Sequence, residues 1–155
     1  MKKTIALIIP IFFLLSCNQA KNKNEEKRNQ TVTKDTISEI VELAIKPNTF
    51  KLSSLPGTVK VQMGNNTTDT ITTGDYYRIE KLEENEWTNV SPKDMTFYDI
   101  GYDLKPFDNK TFEEKLLKNK INYNSGKYRI VKNYVKPDYQ KTRENFYVYA
   151  EFDIQ

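Results

Sequence analysis

From about residue 37 onward, apolar and polar positions alternate with a period of two. That is the repeat of a half-buried β-strand, not of an amphipathic helix. Val41, Leu43 and Ile45 alternate with Glu42, Ala44 and Lys46 until Pro47 ends the run. Val59, Val61 and Met63 form a second set, and Tyr77 and Ile79 a third. Tyr98, Ile100, Tyr102 and Leu104 are expected to share one face of a fourth. Tyr128 and Ile130 mark another, and Phe146, Val148, Ala150, Phe152 and Ile154 give the clearest of all. Turn-forming residues stand between these runs: Gly64-Asn65-Asn66, Glu84-Asn85, Pro106 to Asn109, Asn124-Ser125-Gly126 and Pro137-Asp138. Thr111 to Asn119 stays open, because Phe112, Leu116 and Leu117 fit a helical turn as well as a strand. One apolar and one polar face per strand predicts an all-β, two-sheet antiparallel sandwich of about 7–9 strands.

The first residues follow another pattern. Lys2 and Lys3 precede an apolar run from Ile5 to Leu15, and Leu14-Leu15-Ser16-Cys17 follows. A run of about 11 residues suits a secretory signal and falls short of the roughly 20 that span a bilayer. The Leu-x-small-Cys pattern resembles the lipobox of bacterial lipoproteins. That resemblance implies cleavage before Cys17 and diacylglycerol on its thiol. Residues 1–16 are then a signal peptide, 17–36 the lipidated cysteine with a polar tether, and 37–155 one domain. The expected address is the cell membrane or outer membrane, with the domain extracytoplasmic and the membrane reached through lipid on Cys17. Two or three acyl chains satisfy the two-signal requirement for stable anchoring.

Composition then removes whole classes of chemistry. Without Lys2 and Lys3 the Lys and Arg count falls from 24 to 22 against 21 acidic residues, so basicity gives no support to a nucleic-acid partner. Cys17 is the only cysteine, which excludes an internal disulfide and, once lipidated, a thiol nucleophile. Histidine is absent, and with it Cys/His zinc sites and Ser-His dyads. Five scattered glycines build no phosphate loop. Asp99 and Asp103 share a strand face but stand roughly 13 Å apart, too far for one calcium ion. Glu113 and Glu114 point to different sides of either a strand or a helix and read as solvated charge. No cofactor, metal or catalytic residue is expected.

Two motifs narrow the fold. Asn124-Ser125-Gly126-Lys127-Tyr128-Arg129 resembles the tyrosine corner that opens strand F of immunoglobulin folds, with Ile130 where antibody domains carry a disulfide cysteine. Gly74 to Leu82, Trp87, Gly126-Lys127-Tyr128-Arg129-Ile130-Val131-Lys132 and the closing Phe152-Asp153-Ile154 together resemble a bacterial immunoglobulin-like domain family over about residues 40–154. The resemblance implies extracytoplasmic modules with no reaction and no cofactor. Tyr147 and Tyr149 lie opposite the expected core, with Arg129 and Val131 on the matching face of the preceding strand. Tyr and Arg are favoured in recognition patches, so these residues form a candidate binding surface. Tyr139, in the 136–145 connection at one end of the sandwich, is a further candidate. The expected role is a non-catalytic, lipid-anchored module making protein or glycan contacts at the envelope. A structural or assembly accessory is the alternative, and an acid-based hydrolase a third.

Overall fold

The computed structural model describes residues 40–155, so Cys17 and the signal and tether segments lie outside the described residues. Nine strands follow in chain order. They are β1 (Val41–Ile45), β2 (Thr49–Phe50), β3 (Thr58–Asn65), β4 (Ile71–Glu83), β5 (Glu86–Asn89), β6 (Gly101–Leu104), β7 (Asn109–Lys115), β8 (Gly126–Val135) and β9 (Phe146–Ile154). A single helical turn, α1 (Tyr139–Thr142), lies between β8 and β9.

One sheet runs β1-β3-β7, and the other runs β2-β9-β8-β4-β5 with β6 also paired to β4. This is the two-sheet sandwich that the alternation predicts. All pairings are antiparallel except that of the two-residue β2, which lies parallel to β9. Val41, Leu43, Ile45, Val59, Val61 and Met63 are buried on one inner face; Ile79, Tyr128, Ile130, Ala150, Phe152 and Ile154 are buried on the other. Burial of these side chains is the main stabilising term, at about 1.5–3 kcal/mol for each large one.

Two turns follow directly from their residues. Glu84 and Asn85 both take positive φ, 49° and 69°, which gives the two-residue β4–β5 hairpin the backbone twist its strands need. The corner before β8 closes on Tyr128, whose hydroxyl donates to the Asn124 carbonyl region (3.1 Å) and accepts from the Asn124 backbone N–H (3.2 Å). The tyrosine corner is therefore formed.

Three expectations fail. Tyr98 and Ile100 do not share a strand face with Tyr102 and Leu104. The β4–β6 ladder ends at Gly74–Gly101, where β4 bulges, so the chain before Gly101 has no partner and Tyr98 is exposed. Asn65 is not a turn residue but the fully buried last residue of β3. Its Nδ2 donates to the carbonyls of Asp69 (2.8 Å), Leu104 (3.0 Å) and Lys105 (3.0 Å), and its Oδ1 accepts from Thr67.

The segment left open resolves as strand β7 to Lys115, after which Leu116 is buried and Leu117 turns left-handed (φ 52°). Phe112 and Glu114 consequently point inward, and Glu114 is buried rather than solvated. It receives a hydrogen bond of 2.8 Å from Lys132 Nζ, reaching across from β8 in the opposite sheet. Lys132 is 0% exposed. Its ammonium also donates to the carbonyls of Tyr76 (3.3 Å) and Asp75 (3.5 Å), which the β4 bulge turns toward it, and lies 4.0 Å from the Phe112 ring centroid. Burial pulls the Lys132 ammonium below its usual range and pushes the Glu114 carboxyl above its own, while each charge opposes the shift of the other. Every Lys132 proton has an acceptor, so the pair bridges the two sheets with both charges compensated.

Candidate functional site

Facing away from this core, the six-stranded sheet carries a connected layer of long side chains. Alternation along β4, β8 and β9 turns Arg78, Glu80, Arg129, Val131, Tyr147 and Tyr149 outward. Pairing with Leu82 brings Trp87 to the same side. Cross-strand neighbours follow from register: Glu80–Arg129–Glu151 form one row, Arg78–Val131–Tyr149 the next, and Asn133–Tyr147 a third.

Glu80 is the pivot. Arg78 Nε donates to its Oε1 at 2.6 Å, and Arg129 donates to its Oε2 through Nε (2.6 Å) and Nη2 (2.5 Å). Burial alone pushes this carboxyl up, but the bonds from Arg78 and Arg129 outweigh it and hold Glu80 below the usual carboxylate range. Fixed in this way, the Arg129 guanidinium lies 4.2 Å from the Trp87 ring centroid and 4.7 Å from that of Tyr149. Arg78 lies 5.0 Å from the Tyr147 ring. Cation–aromatic contacts at such distances are each worth about 0.5–1 kcal/mol on a surface and fix the rings as well.

The layer is dense enough to bury what lies under it. Val131, expected on an open face, is 2% exposed, because Arg78 and Tyr149 flank it on the neighbouring strands. Above it Tyr147 and Tyr149 remain 57% and 53% exposed. Lys127 at the margin reaches Glu151 (3.2 Å) and Asp153 (4.0 Å). The result is a rigid aromatic platform whose arginines are already paired with acid.

The structure thus brings Tyr147, Tyr149 and Arg129 together. It places Tyr139 elsewhere, half-buried on α1 off the sheet, where its ring lies 5.7 Å from the Arg143 guanidinium. Sequence reasoning missed Arg78, Glu80 and Trp87. Their signal was present: Arg78 and Glu80 alternate with Tyr77 and Ile79, and a two-residue hairpin returns Trp87 beside them. Among the described residues, no three His, Cys, Asp or Glu side chains gather as a metal site would require.

Residues 38–153 match the bacterial Ig-like domain family. The chain belongs to this family. Its tyrosine corner, its buried Lys132 and its Arg–aromatic layer therefore sit on a bacterial Ig-like sandwich. No curated protein matches the chain. Among solved structures it is similar to the ASH/PapD-like domain 7 of human CEP192, at 9% identity and a TM-score of 0.38, over 85% of this chain and 96% of that one. It is also similar to the Pseudomonas fluorescens alkylpurine DNA glycosylase AlkC bound to DNA containing an abasic site analog, at 9% identity and a TM-score of 0.34, over 74% of this chain and 30% of that one.

Proposed function

We propose that this bacterial Ig-like protein is an exported, lipid-anchored, non-catalytic module that makes protein or glycan contacts at the cell envelope through the outer face of its six-stranded sheet. The observation that carries the reading is the platform itself: two half-exposed tyrosines held in place by arginines that a buried glutamate orients. A binding surface gains affinity when its aromatic anchors are already ordered, because less side-chain entropy is lost on contact. The paired arginines disfavour a purely electrostatic role and leave the tyrosine rings as the principal contact groups. The Leu14-Leu15-Ser16-Cys17 pattern supports attachment to a membrane, with the domain on its outer side.

The test places a photo-crosslinking amino acid at Tyr149 in the intact envelope, with Glu113 on the exposed face of β7 as the control position. A discrete adduct from 149 and none from 113 is the expected result for a protein partner. For a glycan partner, retention on isolated envelope polysaccharide is expected to fall at least 10-fold in Tyr147→Ala/Tyr149→Ala, as two anchor contacts of more than about 1 kcal/mol each imply. Equal labelling from both positions, together with unchanged polysaccharide retention, would contradict the reading.

A further inference from the structure

The end of the sandwich where the chain enters the domain holds an aromatic residue in a costly position. Ile40 precedes β1 and its carbonyl accepts from Asn66 N–H at 3.0 Å, so the entry point lies against the β3–β4 turn. The β6–β7 turn is at the same end. Asn109 pairs with Gly64, Asn65 N–H donates to the Asp108 carbonyl (2.9 Å), and Phe107 N–H donates to the Asn65 carbonyl (2.7 Å).

Residues 105–108 form a tight turn closed by Asp108 N–H on the Lys105 carbonyl at 3.0 Å. Pro106 occupies its second position and Phe107 its third, with φ 66°. A turn with proline followed by positive φ is of type II, and its third position favours Gly or Asn because a Cβ is crowded there. A bulky residue in that conformation is strained and persists only where its surroundings impose it. Here the buried Asn65 imposes it, donating to the carbonyls of Leu104 and Lys105 on either side of the turn's first bond. Packing does not repay the strain, because Phe107 is 58% exposed. Ile40 beside the entry point is also exposed, as is Lys105.

Cys17 precedes Ile40 by 23 positions, so the chain that carries the proposed anchor joins the domain at this end. We propose, resting on the lipid-anchored reading above, that this end seats on the bilayer holding Cys17. Phe107 and Ile40 enter the headgroup region, and Lys105 meets the lipid phosphates. One aromatic side chain binds lipid weakly by itself. Attachment through the same chain makes the contact intramolecular, and the effective concentration then favours it without further contacts. The Trp87 end of the six-stranded sheet consequently points away from the bilayer.

The test uses the full chain with acylated Cys17 in vesicles of phosphatidylethanolamine and phosphatidylglycerol, with lipids brominated high on the acyl chain as quenchers. Trp87 is an internal ruler: it pairs with Leu82, eleven positions along β4 from the Ile71 that pairs with Leu104. That places it roughly 30 Å from the proposed contact. Wild-type emission is expected to be unquenched, whereas Phe107→Trp adds blue-shifted emission that brominated lipid reduces about two-fold. Phe107→Gly is expected to fold at least as stably as wild type, since glycine relieves the strained φ. The proposal is overturned if the added tryptophan responds no more than Trp87 in acylated, vesicle-bound protein, or if Phe107→Gly is the less stable form. Should Phe107→Trp not fold, a nitroxide on Phe107→Cys gives the same answer, being more accessible to oxygen than to a water-soluble nickel complex if seated and the reverse if not. A chain without acyl mass on Cys17 overturns the anchoring reading instead, and the mass spectrum separates that outcome from a silent residue 107.

Discussion

Replacing Lys132 by Met is expected to cost the domain about 3–5 kcal/mol, because the change leaves the Glu114 carboxylate buried without its cation. The two groups meet at 2.8 Å between the sheets, and neither is open to water. Methionine restores the volume of the lysine stem, so the loss reports the orphaned charge rather than a cavity. Replacing both partners, as in Glu114→Leu/Lys132→Met, is expected to recover most of the loss or exceed wild type, because the desolvation cost vanishes with the charges. The pH response of the single variant has a definite sign. With Lys132 gone, burial and then the charge of Asp75 both push the Glu114 carboxyl upward. A folded value above the unfolded one gives stability that is full below the ordinary value near 4.5 and is lost as pH rises through the raised value. Urea midpoints of Lys132→Met should therefore be closest to wild type in acid and fall toward neutrality, while the double variant shows no such slope. A single-variant loss under about 1 kcal/mol, or a double variant no better than the single, would refute the orphaned-charge account.

Asn65→Ala is expected to cost about 3 kcal/mol. The amide donates to three carbonyls from two different turns, and each buried acceptor left unpaired costs roughly 1–3 kcal/mol. Asn65→Asp has nearly the same shape but lacks both N–H donors, so it should be no more stable than the alanine variant. Denaturation midpoints compare the two, and hydrogen exchange locates the damage. Amides of residues 105–108 should exchange faster in either variant, while those at the centre of β8 change only by the global loss. An aspartate variant close to wild type would show that shape, not donation, is what Asn65 supplies.

Much of the fold was legible because strand parity and turn chemistry act locally. The run Phe146 to Ile154 shows its buried face in order, Glu84-Asn85 sets a hairpin, and Asn124 to Tyr128 closes a corner. What was not legible depends on partners far along the chain. Glu114 and Lys132 both keep the inward parity of Phe112 and Ile130, yet a charge at an inward position reads as an error until its opposite is found in the other sheet. Asn65 looked like a turn residue because Gly-Asn-Asn usually is one; its carbonyl partners near residue 104 are set by tertiary structure. Tyr98 and Ile100 alternate correctly but lost their ladder to a bulge in β4, which the sequence around Gly74 does not announce.

The candidate surface was half visible. Tyr147, Tyr149 and Arg129 follow from parity alone, whereas Arg78, Glu80 and Trp87 join them only through the register of β4 against β5 and β8. Tyr139 is a candidate by loop position alone, and loop position does not fix a face.

If lipid on Cys17 carries this Ig-like domain on a membrane, as proposed, the intact mass of the mature protein from its native envelope records the modification. The expected species is a chain that begins at Cys17 and exceeds its peptide mass by a diacylglyceryl group, with or without one further acyl chain. A mature chain with an unmodified Cys17, or one cut elsewhere, would contradict it.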